Sequence, residues 1–81
     1  MKIKVKFFAA LKELLDCEQT ILELPDGSSC EAVLSRLKAD IPALFSFLEN
    51  CLIAVNGEYA DKMAHVSAGD EVAILPPVSG G

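Results

Sequence analysis

The chain opens with a strict alternation of charged and apolar side chains. Between Lys2 and Phe7 every even position is lysine and every odd position is apolar, the period-two pattern of a half-buried strand. Phe8 breaks the alternation, because an aromatic residue falls on the lysine side. We predict a strand over residues 2–8. We interpret its lysines as a solvated face that discourages unwanted pairing rather than as an anion-binding stripe.

Two further elements follow before the middle of the chain. Residues 9–15 are rich in helix formers, and Leu11, Leu14 and Leu15 are spaced to share one face, which predicts a short helical turn. Residues 20–24 are β-prone and end at the Pro-Asp-Gly turn of residues 25–27. The two strands are expected to form a hairpin.

The clearest helical pattern covers residues 29–40. Ser28 and Glu31 have the spacing of a capping box. Pro42 disfavours helical geometry at the residue before it, so the helix should end near Asp40, and a second short helix can run from Pro42 to Leu48. The apolar positions that define the buried face are Cys30, Val33, Leu34, Leu37 and Ile41.

The last third of the chain reads as strands and turns. Residues 52–55 run into Asn56-Gly57, a strong hairpin signal, and residues 58–60 return. A turn at residues 67–70 precedes a final strand at residues 71–75, which Pro76 and Pro77 end. This order predicts an α+β protein with a β-grasp (ubiquitin-like) fold, in which one main helix packs on one face of a mixed sheet. We expect the domain to cover residues 1–75 and residues 76–81 to form a flexible tail.

Composition narrows the possible partners. The 81 residues are 52% hydrophobic, which indicates either a dense core or an apolar patch that another protein covers; the sequence leaves both open. A net charge of -5 argues against nucleic acid and anionic membranes as partners. No apolar run approaches the roughly 18 residues of a membrane span, and the start lacks a signal-peptide pattern. The expected location is the cytoplasm.

The side chains give little indication of a catalytic or ligand-binding site. The cysteines number three and are widely spaced, so we expect reduced thiols rather than a disulfide framework. His65 is the one histidine, and the sequence leaves open a Cys–His pair assembled by folding. We expect no metal site and no cofactor bound by this chain, because no phosphate-loop, dinucleotide or zinc motif occurs.

The C-terminal end is the remaining candidate for a reactive group. Six residues from Pro76 can reach about 20 Å beyond the last strand. Gly80 and Gly81 carry no side chain that would obstruct entry into a narrow channel.

A family resemblance covers the whole chain. The segments FFAALKE (7–13), AVN (54–56), GDEVA (69–73) and PPVSGG (76–81) resemble the small, sulfur-carrying subunit of molybdopterin synthase. The resemblance implies that an E1-like activating enzyme uses ATP to adenylate the carboxylate of Gly81, which then becomes a thiocarboxylate. It also implies that the tail enters the large catalytic subunit, within a heterotetramer, and donates sulfur to a cyclic pyranopterin precursor during molybdenum cofactor biosynthesis.

The expected contact surface combines outward-pointing side chains with the start of the tail. The alternation places Phe8 and Leu75 outward. The residues expected to bind the partner are Phe8, Tyr59, Leu75, Pro76, Pro77 and Val78. Two other functions stay open: a sulfur carrier of the thiamine pathway, and a ubiquitin-like modifier conjugated to proteins through Gly81.

Overall fold

A computed structural model of the chain describes residues 1–8 and 10–75. The strands are β1 (Lys2–Phe7), β2 (Gln19–Glu23), β3 (Leu52–Val55), β4 (Glu58–Tyr59) and β5 (Glu71–Leu75). The helices are α1 (Ala10–Leu15), α2 (Cys30–Asp40) and α3 (Phe45–Leu48), and a 3₁₀ turn at Pro42–Leu44 precedes α3. The strands form one sheet in the order β2-β1-β5-β3-β4. Only the β1–β5 pair is parallel among these strands, which confirms the predicted β-grasp.

Helix α2 begins and ends close to the residues that its sequence predicts, with one correction at its N-cap. Ser29, not Ser28, is the N-cap, and its hydroxyl accepts a hydrogen bond from the backbone N–H of Ala32 at 3.3 Å. The Ser28 hydroxyl instead donates to the carbonyl of Pro25 at 2.7 Å. The predicted capping box was therefore wrong by one residue, because two adjacent serines compete for the position. The helix ends at Asp40, before Pro42, as predicted.

One face of the sheet and the inner face of α2 share a single hydrophobic core. Leu37 is 1% exposed, and the predicted helix face is buried except for Ile41, which packs at the margin of the core. Leu14 corrects the predicted face of α1, because it is 48% exposed whereas Leu11 is buried. The core cluster comprises Ile3, Val5, Phe7, Leu11, Leu22, Leu24, Cys30, Val33, Leu34, Leu37, Leu44, Leu48, Cys51, Ile53, Val66, Val72 and Ile74.

Two of the segments that carry the family resemblance form a hydrogen-bonded clasp between the β3–β4 turn and the start of β5. The amide of Asn56 donates to the Asp70 carboxylate at 3.1 Å and accepts from the backbone N–H of Glu71 at 3.0 Å. Asp70 also accepts from the backbone N–H of Ser67 at 2.7 Å. Asn56 has a φ of 51° and Gly57 a φ of 86°, as a type I′ turn requires. These residues therefore have a structural role in the turn.

The clasp should make stability depend on pH in the acid range. The Ser67 N–H, followed by the Asn56 amide, lowers the pKa of Asp70. A carboxyl whose folded pKa lies below its unfolded value stabilises the protein above the unfolded pKa, and this contribution is lost as pH falls through the folded pKa. We therefore expect Asp70→Asn to be destabilised at neutral pH, with the difference from the parent chain shrinking below about pH 4.

Urea unfolding at a series of pH values measures this effect, and Glu49→Gln neutralises a carboxylate outside the clasp as the control. A stability difference between Asp70→Asn and the parent that stays constant from neutral to strongly acid pH would contradict the assignment.

Candidate functional site

The sheet has an open face opposite the core. Val72 and Ile74 of β5 are fully buried, whereas Ala73 and Leu75, which alternate with them, are half-buried on the other side. Directly paired residues of neighbouring strands lie on the same face. The strand register therefore decides which side chains share the open face with β5.

The register assembles an apolar patch in two rows. Leu52 pairs with Leu75 in one row, and Phe8 extends that row because Phe7 pairs with Ile74. In the other row Ala54 lies between Tyr59 and Ala73. The apolar patch comprises Phe8, Leu52, Ala54, Tyr59, Ala73 and Leu75.

Exposure of the large side chains supports an interface role for the apolar patch. Phe8 is 42% exposed and Tyr59 is 76% exposed, and Leu52 is also exposed. A contiguous apolar surface of this kind commonly marks a protein interaction site. The predicted outward orientation of Phe8 and Leu75 agrees with the structure. The sequence leaves open whether the high hydrophobic content means a dense core or an apolar patch that a partner covers. The structure shows a core and, on the other face of the sheet, an exposed apolar patch.

Leu52 and Ala54 are members of the patch that the sequence did not reveal. All residues of β3 are apolar, so the strand shows no contrast between its two faces. Only the pairing of Leu52 with Leu75 assigns it to the open face. Without a known strand order, the alternation within β3 identifies two sets of residues but not their directions.

The tail follows the strand that borders this patch. Leu75 is the last described residue and ends β5, the middle strand of the five. The chain therefore leaves the sheet at its centre, beside Leu52 and near Phe8. The predicted roles of Pro76, Pro77, Val78, Gly80 and Gly81 lie outside the described residues.

Most side chains on the rest of the open face are charged. Lys2 pairs with Glu23 and Lys4 with Glu71 across neighbouring strands, and the Lys6 ammonium lies 3.4 Å from the Glu71 carboxylate. Opposite charges directly across a sheet are mildly stabilising. This agrees with a solvated face rather than an anion-binding stripe. The expectation that the lysines discourage pairing was wrong, because β1 pairs on both sides.

The thiols do not form a nucleophilic site. Cys30 and Cys51 are buried, and removal from water is the main cause that raises the pKa of each. Both are therefore protonated at neutral pH and poor nucleophiles. Cys17 donates from Sγ to the carbonyl of Gln19. The Nδ1 atom of His65 lies 2.8 Å from the carbonyl oxygen of Gly27, which places its ring on the loop before α2.

The described residues contain neither a metal-binding cluster nor a membrane-spanning helix. Within residues 1–8 and 10–75, no three or more His, Cys, Asp or Glu residues are grouped so that they could hold a metal ion. Across the same residues no helix has the length and apolar character needed to cross a membrane. What the described site offers is an apolar patch next to the start of the tail.

Comparison with known proteins agrees with this geometry. The ThiS family matches residues 5–81. The molybdopterin synthase sulfur carrier subunit of Chlamydomonas reinhardtii is 44% identical over 84 aligned positions that cover all of both chains. Among solved structures, the small archaeal modifier protein SAMP1 from Haloferax volcanii has a TM-score of 0.88 at 29% identity, with both chains fully covered.

A complex of subunits 1 and 2 of the molybdopterin-converting factor from Helicobacter pylori contains a similar chain. The TM-score is 0.66 at 30% identity, again with full coverage of both chains. The family match covers nearly the whole chain, and the Chlamydomonas reinhardtii relative matches from end to end. The chain therefore belongs to the ThiS family and, within it, to the molybdopterin synthase sulfur carrier subunits.

Proposed function

We propose that this carrier holds sulfur as a thiocarboxylate at Gly81 and donates it to the cyclic pyranopterin precursor in the active site of a large subunit. The observation that carries the proposal is the position of the tail, which starts at the end of the central strand and beside the apolar patch. A partner that covers the patch would receive the tail at a fixed place. The thiocarboxylate then acts as a tethered reactant with a high effective concentration.

Activation has to precede sulfur transfer, because a carboxylate is a poor acyl donor. Attack of the Gly81 carboxylate on ATP gives an acyl adenylate and releases pyrophosphate. A sulfur nucleophile then attacks the acyl carbon and displaces AMP, which leaves the thiocarboxylate. We propose that an E1-like activating enzyme binds the ATP and that this chain binds no cofactor. The raised pKa values of Cys30 and Cys51 support a role for the terminus rather than for these buried thiols.

The partner is proposed to be the molybdopterin synthase large subunit, in a heterotetramer. The complex of subunits 1 and 2 from Helicobacter pylori supports the pairing of this chain with a large subunit, because one chain of that complex resembles this one. We place the carrier in the cytoplasm, because its three cysteines are unpaired as expected in a reducing compartment.

Intact-mass spectrometry tests the proposed function. The chain is incubated with an activating enzyme, ATP and inorganic sulfide. The expected result is a mass increase equal to the exchange of one oxygen for one sulfur, which depends on ATP and maps to the C-terminal peptide. An ATP-dependent sulfur adduct on a cysteine peptide, with an unmodified C-terminus, would contradict the proposal.

A second candidate function follows from the similarity to SAMP1. In a protein modifier, Gly81 would form an isopeptide bond with a lysine of a target protein. Recovery of peptides in which Gly-Gly branches from a lysine, after incubation with a cell extract and ATP, would support this use. The thiamine-pathway carrier is less favoured, because the Chlamydomonas reinhardtii relative is a molybdopterin synthase subunit.

Replacement of Phe8 tests the role of the apolar patch. Phe8→Arg should preserve the fold, because the Phe8 side chain lies outside the core. An arginine buried in the centre of an apolar contact with the large subunit would, however, cost about 2 kcal/mol or more of binding free energy. Calorimetric titration with the large subunit measures the loss.

Phe47→Arg is the matched control for this variant. Phe47 lies on α3 and is 41% exposed, nearly the same as Phe8, but it is not part of the apolar patch. Equal affinities of Phe8→Arg and the parent chain would remove Phe8 from the interface, and an equal loss in both variants would point to a non-specific effect of the new charge.

A further inference from the structure

The outer edge of β2 carries backbone groups that no neighbouring strand satisfies. Among the described strands, β2 pairs only with β1. The backbone N–H of Leu24 donates to the carbonyl of Met1, and the N–H of Phe7 donates to the carbonyl of Glu18. Hydrogen-bonded and non-hydrogen-bonded pairs alternate in an antiparallel ladder. The even-numbered residues of β2 therefore form the hydrogen bonds to β1. The N–H and C=O groups of Gln19, Ile21 and Glu23 therefore point away from the sheet.

Two side chains already occupy part of this edge. The Cys17 thiol donates to the carbonyl of Gln19 at 2.9 Å, and Nη1 of Arg36 donates to the carbonyl of Glu23 at 3.1 Å. Arg36 is itself held by Asp40, whose carboxylate oxygens lie 3.1 and 3.2 Å from Nε. Of the three outward carbonyls of β2, the structure leaves only that of Ile21 without such a side-chain donor.

The strand lacks several of the usual protections against pairing with another strand. Its five residues contain no proline and no lysine, and its register with β1 runs without a bulge. At its centre Ile21 is 54% exposed on the open face, outside the apolar patch. An unprotected edge with an exposed β-branched residue is a template for strand addition.

The sequence of β2 is complementary to itself. In an antiparallel pair of two copies centred on Ile21, each Gln19 lies opposite Glu23 of the other copy, and no two like charges face each other. The two Ile21 side chains meet on the open face. Such a pair would form six backbone hydrogen bonds, and four of them need a carbonyl that Cys17 or Arg36 occupies.

We propose that Cys17 and Arg36 close the β2 edge against antiparallel pairing with a second copy of this chain. Each pairing bond at the Gln19 or Glu23 carbonyl has to displace a side-chain donor or share the oxygen with it, so its net gain is reduced. Asp40 is a positioning residue, because it orients the guanidinium of Arg36. The closed edge keeps the carrier monomeric without placing a lysine or proline within β2.

The double variant Cys17→Ala/Arg36→Ala tests the proposal. Sedimentation velocity over a dilution series should show a monomer for the parent chain and a reversible dimer for the variant, with an apparent dissociation constant lower by roughly tenfold or more. Lys38→Ala is the control, because it removes the same charge from α2, where Lys38 contacts Phe45 rather than β2.

Addition of Ile21→Glu to the double variant identifies the surface that pairs. In the monomer the new carboxylate lies opposite Lys4, whereas in the dimer two glutamates would face each other across the centre. We expect the triple variant to be monomeric. A double variant that is folded and monomeric at every concentration overturns the proposal, as does a dimer that Ile21→Glu leaves intact. If the double variant does not fold, Arg36→Ala alone decides between the same outcomes.

Discussion

Deletion of Gly81 is expected to abolish sulfur transfer while leaving a folded domain that still binds the large subunit. The described core and the apolar patch lie within residues 1–75, so removal of one terminal residue should not change the free energy of unfolding measurably. The shortened chain has a carboxylate one residue, roughly 3.5 Å, short of its proper position. Dithiolene formation with purified large subunit measures transfer, and the intact mass of the carrier measures activation.

Two further variants make this prediction specific. A bulky residue at Gly80 should slow activation and transfer, because a side chain would crowd a channel shaped for bare backbone. A chain in which all three cysteines are replaced by alanine should still form the thiocarboxylate if it folds, although loss of buried Cys30 and Cys51 reduces stability. Sulfur transfer by the chain that lacks Gly81, or no transfer by a folded chain without cysteines, would assign the reactive group to a side chain.

Truncation of Leu37 is expected to have the largest effect on stability. The side chain lies on the inner face of α2 and is 1% exposed. Leu37→Ala removes buried methyl and methylene groups and leaves a cavity, at a cost of about 2 to 5 kcal/mol in the free energy of unfolding. Small domains are only marginally stable, so we expect a substantial fraction of the variant to be unfolded at moderate temperature. Urea unfolding monitored by circular dichroism measures the change.

Leu14→Ala is the matched control for the core substitution. The same atoms are removed from α1, but Leu14 is exposed, so the expected loss is well under 1 kcal/mol. Equal losses for Leu14→Ala and Leu37→Ala would show that burial does not distinguish the two positions, and the assigned inner face of α2 would then be wrong.

Local sequence signals were sufficient to predict most of the elements. Pro42 fixed the end of α2, and Asn56-Gly57 identified the turn between β3 and β4. Two errors occurred where two positions fit the same local rule. Ser28 and Ser29 are both good N-cap residues, and only the hydrogen bond of Ser29 distinguishes them. Leu14 satisfies the spacing of a buried helix face, but Leu11 is the buried residue of α1.

The candidate site was predictable only in part, because it depends on contacts between distant segments. The outward direction of Phe8 followed from alternation within one strand. The membership of Leu52 required its pairing with Leu75, which lies 23 residues further along the chain. The clasp of Asn56 with Asp70 likewise joins two turns that the sequence shows only as separate motifs.

The central position of β5 has a consequence for how the carrier is made. Synthesis runs from the N-terminus, so β5 is the last strand to be made, and it has to insert between β1 and β3. Until it does, the two halves of the sheet share no hydrogen-bonded ladder. A polypeptide interrupted before β5 therefore lacks both the strand that joins the sheet and the tail that follows it. We therefore do not expect such a fragment to occupy the large subunit without delivering sulfur.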